Sequence, residues 1–202
     1  MVYSQKGDRA LLILGAGFGL NPLRLFLADY FFSKAETYYM DGLGPEAIAL
    51  YDRSLFLNPH NSQGHFGKAF ICDEQTDHVC AEKHYTKVLS GSSDRRSEEH
   101  IFSTNNLALI HIQQDRNLQA AITNLQTILP FAQKINKEGF IYKNLALGYL
   151  AAKDLAQGII HFDQAKKTLK EHPDFDCIQT LINEAEATGE IPPITHCFDT
   201  PD

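Results

Sequence analysis

The sequence repeats itself with a period of about 34 residues. Ala35 recurs as Ala69 and Ala47 recurs as Ala81, each at an offset of 34; further on, residues 106–111 (NLALIH) return as residues 144–149 (NLALGY), 38 positions later. Turn-forming residues separate these echoes, and strict alternation of apolar and polar residues, which would indicate strands, is nearly absent. A period of this size predicts a chain of repeated helix–turn–helix units that stack on their neighbours.

The pattern predicts four helical hairpins, each with a pair of small residues where its two helices cross. These pairs are Ala35 with Ala47, Ala69 with Ala81, Ala108 with Ala121, and Ala146 with Gly158. Antiparallel helices that approach this closely leave room only for alanine or glycine at the crossing. A large residue follows four positions later on the same helix face, where it can pack into a neighbouring helix. These residues are Tyr51, Tyr85, Leu125 and Phe162.

This pattern resembles the tetratricopeptide repeat, a 34-residue unit with L-G-x2-Y in its first helix and A-x3-F in its second. The resemblance covers residues 28–171, although Phe31, His65, Thr104 and Tyr142 replace the family's tryptophan. It implies an all-α, right-handed superhelical solenoid of about four repeats. An apolar lead-in with the start of the first helix (1–27) precedes the repeats, and a capping helix (172–188) and an irregular tail (189–202) follow them. Longer joins are expected at residues 91–96 and 130–138.

In this family the first helix of each repeat lines a concave groove. The family's register assigns the following residues to that surface: Asp29, Phe32, Glu36, Tyr39, Gln63, Phe66, Phe70, Asp73, Phe102, Asn105, Leu109, Ile112, Phe140, Lys143, Leu147 and Leu150. Within this set we predict a partner-binding groove formed by Phe66, Phe70, Phe102, Asn105, Leu109, Phe140, Lys143 and Leu147. A strip with this apolar character would bind an amphipathic helix or an extended segment of a partner. The alternative is that a segment of the same chain, such as residues 1–20, covers it.

Two functions follow from the resemblance. The first is a non-catalytic adaptor or scaffold that binds a partner protein or peptide, and the second is a small secretion- or assembly-type chaperone that shields an apolar client segment. The carboxylate clamp of chaperone-binding members is matched only at Asn106, which disfavours binding to the acidic tails of Hsp70 or Hsp90. No nucleophile elbow, phosphate-binding loop or zinc-protease motif occurs. We therefore expect no enzymatic activity and no cofactor.

The segment Gly15–Gly19 only superficially matches a dinucleotide-binding glycine turn. Its third glycine comes one position early and no alternation of strands and helices follows. The apolar run of which it forms part, Ala10–Leu20, is too short to span a membrane, for which about 20 residues are needed. No small-x-small cleavage site follows the run, and Asn21-Pro22 instead favours the start of a helix, so we predict neither a signal peptide nor membrane association.

Charge and cysteine content complete the expectations. The net charge of −7 argues against nucleic-acid binding. Four scattered cysteines (Cys72, Cys80, Cys177 and Cys197) form no tight framework, which favours reduced thiols and a cytoplasmic location. His78, Cys80 and His84 lack a second pair of ligands at matching spacing, so no metal site is predicted.

Overall fold

The computed structural model describes residues 22–91, 94 and 96–198, and the glycine-rich segment and the apolar run Ala10–Leu20 lie outside this part of the chain. The described residues form α-helices and one 3-10 helix, without strands. The helices are α1 (Pro22–Met40), α2 (Gly44–Leu57), α3 (Ser62–Glu74), α4 (His78–Gly91), α5 (Glu98–Gln113), α6 (Leu118–Lys134), α7 (Glu138–Ala151), α8 (Leu155–Leu169) and α9 (Asp174–Thr188), followed by a 3-10 helix at Ile194–Cys197. We call α1–α2, α3–α4, α5–α6 and α7–α8 repeats one to four.

Small residues at the helix crossings allow the two helices of each repeat to pack closely. Ala35, Ala47, Ala69, Ala81, Ala121 and Ala146 are completely buried, and Ala108 nearly so. At Gly158 an added Cβ would lie 2.8 Å from a methyl carbon of Leu150, which leaves no room for a side chain. The large residues predicted to pack behind the crossings, Tyr51, Tyr85, Leu125 and Phe162, are also buried. The expected all-α solenoid is therefore confirmed.

The turns inside the repeats share one backbone conformation that the repeat pattern does not predict. Gly42, Thr76, Asp115 and Lys153 all have positive φ angles, between 50° and 76°. In each turn the following N–H donates to a carbonyl five residues earlier, as from Asp77 to Cys72 at 2.8 Å. Such a left-handed residue satisfies the last carbonyls of the first helix and reverses the chain.

The join expected at residues 130–138 is mostly helical. Helix α6 continues through Pro130 to Lys134, and only residues 135–137 separate it from α7. Ile128 and Ala132, on either side of the proline, are buried in the core, and this packing offsets the backbone hydrogen bond that proline cannot donate. The extra residues of repeat three therefore lengthen a helix rather than a loop.

The hydrophobic core is divided unequally along the solenoid. Repeats three and four share one continuous cluster with α9 and the 3-10 helix, which runs from Ile101 to Ile194. Two smaller clusters lie towards the N-terminus: one is around Tyr51 and Ile71, and the other joins repeat two to α5 around Tyr85 and Ile110. The C-terminal half is thus the more fully packed part of the molecule.

The expectation of four reduced cysteines is wrong. Cys72 of α3 is bonded to Cys80 of α4, with their Cα atoms 5.8 Å apart, and Cys177 of α9 is bonded to Cys197 in the 3-10 helix, at 5.5 Å. The first bond closes the turn of repeat two, and the second fastens the tail to the capping helix. This pairing removes the basis of the cytoplasmic prediction. Among the described helices, none combines the length and the apolar character needed to cross a bilayer.

Candidate functional site

A cleft of about 390 Å³ opens on the inner face of repeats one to three. Three successive first helices form it: α1, α3 and α5 lie side by side, and the residues that line the cleft come almost entirely from them. They are Phe32, Glu36, Tyr39, Tyr51, Gln63, Phe66, Gly67, Phe70, Glu98, Glu99 and Phe102. The cleft is therefore a product of repeat stacking and is not built by any one helical pair.

Aromatic rings form the floor of the cleft. The ring of Phe66 lies 6.3 Å from that of Phe70 and 6.5 Å from that of Phe102, measured between centroids. The Tyr39 ring meets Phe70 edge-on at 6.0 Å. Phe32, Phe66, Phe70 and Phe102 are all only partly buried, so this apolar surface faces solvent.

A glycine allows Tyr51 to enter the cleft from the second helix of repeat one. A Cβ added at Gly67 would lie 2.6 Å from Cζ of Tyr51, so any side chain there would displace the ring. The Tyr51 hydroxyl donates a hydrogen bond to Glu36. Burial, together with the Glu36 carboxylate, raises the pKa of Tyr51 above its usual value, so the phenol keeps its proton and remains the donor.

Carboxylates form the rim of the cleft. Glu36 comes from the interior of α1, whereas Glu98 and Glu99 come from the first turn of α5. Gln63 donates its side-chain amide to Glu99 at 3.2 Å, and Tyr39 donates its hydroxyl to Glu74 at 3.1 Å. Burial and that bond to Glu74 raise the pKa of Tyr39. The rim thus carries negative charge that neutral donors orient.

Three of the eight predicted groove residues, Phe66, Phe70 and Phe102, meet in this cleft. Four further residues assigned to the inner surface by the family's register, Phe32, Glu36, Tyr39 and Gln63, also line it. Of the eight residues that the register assigns to repeats one and two, six line the cleft, and Asp29 and Asp73 do not.

The predicted groove residues of repeat four lie elsewhere. Leu147 is completely buried in the C-terminal core. The ammonium group of Lys143 lies 2.6 Å from Oδ2 of Asp174 on α9, with only 7% of the lysine side chain exposed. Phe140 meets the ring of His172 edge-on, with centroids 6.2 Å apart. The chain's own C-terminal segment therefore occupies the surface that these residues would offer.

Asn105 and Leu109 lie between the two regions. Asn105 is buried and accepts a hydrogen bond from the side chain of Asn144 at 2.9 Å, which links α5 to α7. It also donates to Asn106, which in turn donates to the Tyr85 hydroxyl at 2.8 Å. Leu109 packs, partly buried, against the C-terminal core. These residues connect repeats two, three and four and do not line the cleft.

Sequence reasoning missed Tyr51, Gly67, Glu98 and Glu99 as cleft residues. Tyr51 is assigned only to packing between helices, because the sequence does not show that its hydroxyl end reaches the inner face. Glu98 and Glu99 fall next to the expected long join, whereas α5 already begins at Glu98. The signal that could have found them is Ser97, which caps α5 by accepting the backbone N–H of His100 at 3.2 Å.

Metal binding has no support in the part of the chain that the structure describes, where no group of three or more His, Cys, Asp and Glu residues is placed to hold an ion. Cys80 is bonded to Cys72, and His84 instead faces His65, with their Nδ1 atoms 2.8 Å apart. The Nε2 of His65 lies 3.1 Å from the carbonyl oxygen of Pro59. Two neutral rings satisfy both contacts when the protonated Nε2 of His65 donates to Pro59 and the protonated Nδ1 of His84 donates to Nδ1 of His65.

The fold has a solved counterpart. A structure of PilF from Pseudomonas aeruginosa, which contains tetratricopeptide repeats, matches with a TM-score of 0.61 over 87% of this chain and 75% of that one. The two sequences are 20% identical, so the similarity establishes the fold alone. No protein-family model and no curated protein sequence matches the chain.

Proposed function

We propose that the protein is a non-catalytic interaction module, an adaptor or scaffold, that binds a segment of a partner protein in the cleft of repeats one to three. The observation that carries this proposal is the convergence of four phenylalanines from three stacked helices on one surface that remains open to solvent. Aromatic side chains that converge on a concave surface open to solvent are suited to holding the apolar groups of a partner. The proposed binding residues are Phe32, Phe66, Phe70 and Phe102.

Glutamate substitution on the cleft floor tests the proposal. Phe66→Glu/Phe70→Glu places two charges among the aromatic rings and is expected to abolish partner binding while the helical content stays unchanged. The matched control is Phe26→Glu/Phe56→Glu, which changes two phenylalanines that are 67% and 79% exposed and lie outside the cleft. Partner capture from source-cell lysate, quantified by mass spectrometry for both variants, gives the answer. Equal capture by the cleft variant and the wild type would contradict the proposal.

A chaperone role is the second candidate, and the exposed apolar residues of α1 favour it. Phe26, Leu27 and Tyr30 add apolar surface beyond the cleft, as does Phe56 at the end of α2. A chaperone needs such extended surface to shield an unfolded client, whereas an adaptor needs only the cleft. If the protein keeps an aggregation-prone client soluble and Phe26→Glu/Phe56→Glu abolishes this, the chaperone function is supported.

We also propose that the protein works in an oxidising compartment. Structural disulfides persist in secreted and periplasmic proteins and are rare in the cytosol, and two of them tie this fold together. Thiol titration of protein that is purified from its source and denatured without reductant should find no free thiol. Four free thiols would overturn this proposal.

A further inference from the structure

The residues at the rim of the cleft indicate the chemistry of the segment that the cleft binds. All charged residues among the described lining residues are glutamates: Glu36, Glu98 and Glu99. In the part of the chain that the structure describes, no salt bridge joins any of them to a lysine, arginine or histidine. Glu36 accepts a hydrogen bond from Tyr51 and Glu99 accepts one from Gln63, and both of these donors are neutral.

Helix stabilisation accounts for only part of this arrangement. Glu98 and Glu99 in the first turn of α5 interact favourably with the positive end of the helix dipole. Glu36 gains no stabilisation from a helix dipole in this way, because it lies well inside α1. Three like charges around one apolar cleft repel one another, and that repulsion is relieved when a cation enters. The faces of the floor rings attract cations as well.

We propose that the cleft takes a protein segment that carries aromatic or aliphatic anchors together with lysine or arginine. The anchors cover the rings of Phe66, Phe70 and Phe102, and the cationic groups pair with the three rim carboxylates. An acidic segment, such as the acidic tail of a chaperone, is repelled by the same rim. This inference rests on the proposed function, since it specifies the partner of that same cleft.

Two pools of labelled 12-residue peptides provide the test. Both pools carry the same paired leucine and phenylalanine anchors at spacings of two, three and four residues, and they differ only in having lysine or glutamate at the flanking positions. Fluorescence anisotropy with the full chain should show about tenfold tighter binding of the lysine pool, as expected of three solvent-exposed charge pairs. The preference should shrink when ionic strength rises from about 0.05 M to 0.5 M.

Neutralising the rim carboxylates tests whether they cause the preference for the lysine pool. In Glu36→Gln/Glu98→Gln/Glu99→Gln the side-chain oxygens that accept from Tyr51 and Gln63 remain, so the cleft keeps its shape while the lysine preference falls below twofold. The matched control, Glu184→Gln/Glu186→Gln/Glu190→Gln, makes the same change in net charge at exposed positions on and after α9 and should retain the preference. An equal loss in both variants would show general charge attraction and overturn the inference.

The outcomes separate this inference from the proposed function. Equal binding of both pools, abolished by Phe66→Glu/Phe70→Glu, overturns the cationic partner and leaves the binding cleft standing. Failure of both pools to bind at about 100 µM overturns both this inference and the proposed function. Tighter binding of the glutamate pool likewise overturns the inference.

Discussion

The inner face of this solenoid is open in its N-terminal half and closed in its C-terminal half, although the sequence places apolar residues along both. Around the cleft, Phe66 and Phe70 remain partly exposed, whereas Leu147 and Leu150 of repeat four are completely buried. The difference lies in the segment after the last repeat, because α9 and the 3-10 helix complete the C-terminal core. An apolar strip on a repeat protein therefore indicates a binding surface only where no later element of the chain covers it.

Closure of the C-terminal half depends on specific attachments. Ile194 in the 3-10 helix is buried in the same cluster as Ile112 and Leu150. The ammonium group of Lys153, in the turn of repeat four, donates to the carbonyl oxygen of Ile191 at 2.7 Å. The bond between Cys177 and Cys197 then fixes the end of this segment to α9. The N-terminal half has no equivalent covering segment among the described residues, and its aromatic residues stay accessible.

Truncation of one apolar side chain in each half should give the largest contrast in stability. Leu147→Ala leaves a cavity in the closed half and is expected to lower the free energy of unfolding by about 3–4 kcal/mol. Phe70→Ala removes a ring that already contacts water and should cost about 1–2 kcal/mol, while it weakens partner binding. Urea denaturation followed by circular dichroism measures both. Equal losses would mean that the cleft floor is as tightly packed as the core.

Removal of the C-terminal disulfide should likewise lower the free energy of unfolding more than removal of the disulfide in repeat two. The stabilisation by a disulfide grows with the length of the loop it closes, which is 20 residues for Cys177–Cys197 and 8 for Cys72–Cys80. We expect losses of about 3 kcal/mol for Cys177→Ala/Cys197→Ala and about 2.5 kcal/mol for Cys72→Ala/Cys80→Ala. Only the first variant releases the segment that covers Ile112 and Leu150, so only it should bind more of a dye specific for apolar surface. Increased dye binding by both variants would break the comparison.

Acid should weaken the N-terminal half through its buried histidine pair. Burial and the nearby charges of Lys68 and Lys83 lower the pKa of His84 to about 4, below its unfolded value of about 6.5. Between these two pH values the unfolded chain binds the proton more readily, so stability is complete above about pH 6.5 and is lost as the pH falls to about 4. At about 1.4 kcal/mol for each unit of the pKa shift, we expect a loss of about 3 kcal/mol from this group.

A non-titrating side chain isolates that contribution. Denaturation profiles between pH 4 and pH 7 should be flatter for His84→Gln than for the wild type. His161→Gln serves as the control in the C-terminal half, where burial alone lowers the histidine pKa and no neighbouring lysine adds to the shift. Its profile should stay closer to that of the wild type. A larger change in His161→Gln would place the acid sensitivity in the closed half instead.

The repeat geometry could be predicted because the sequence encodes it directly. A close helix crossing admits only alanine or glycine, so Ala35, Ala47 and Gly158 identify the crossings before any coordinates are known. The same register located Phe66 and Phe70 on the open inner face. Helix ends do not follow from this pattern, since the packing of Ile128 and Ala132 carries α6 past Pro130.

Closure of repeat four could not be predicted, because long-range contacts create it. Residues 189–198 show no helical periodicity and gave no sign that Ile194 enters the core. The disulfide at the C-terminus was missed for the same reason: Cys177 and Cys197 become neighbours only when the chain turns back after α9, at Gly189. Cys72 and Cys80, by contrast, lie on either side of the turn of repeat two, only eight residues apart. Lys143 is assigned to a groove by its register, and only the position of Asp174 shows that it is paired within the chain.

The smallest predicted effect compares two equivalent turns, at Thr76 in repeat two and Lys153 in repeat four. Both residues are left-handed, with φ of 58° and 64°, and this conformation is costly for any residue with a Cβ and most of all for a β-branched one. Thr76→Gly should therefore raise the free energy of unfolding by about 1 kcal/mol. Lys153→Gly relieves similar strain but loses the hydrogen bond to Ile191, worth about 0.5–1.5 kcal/mol, so its net change should be near zero. An equal gain from both substitutions, measured by urea denaturation, would show that this bond contributes nothing to the closure of repeat four.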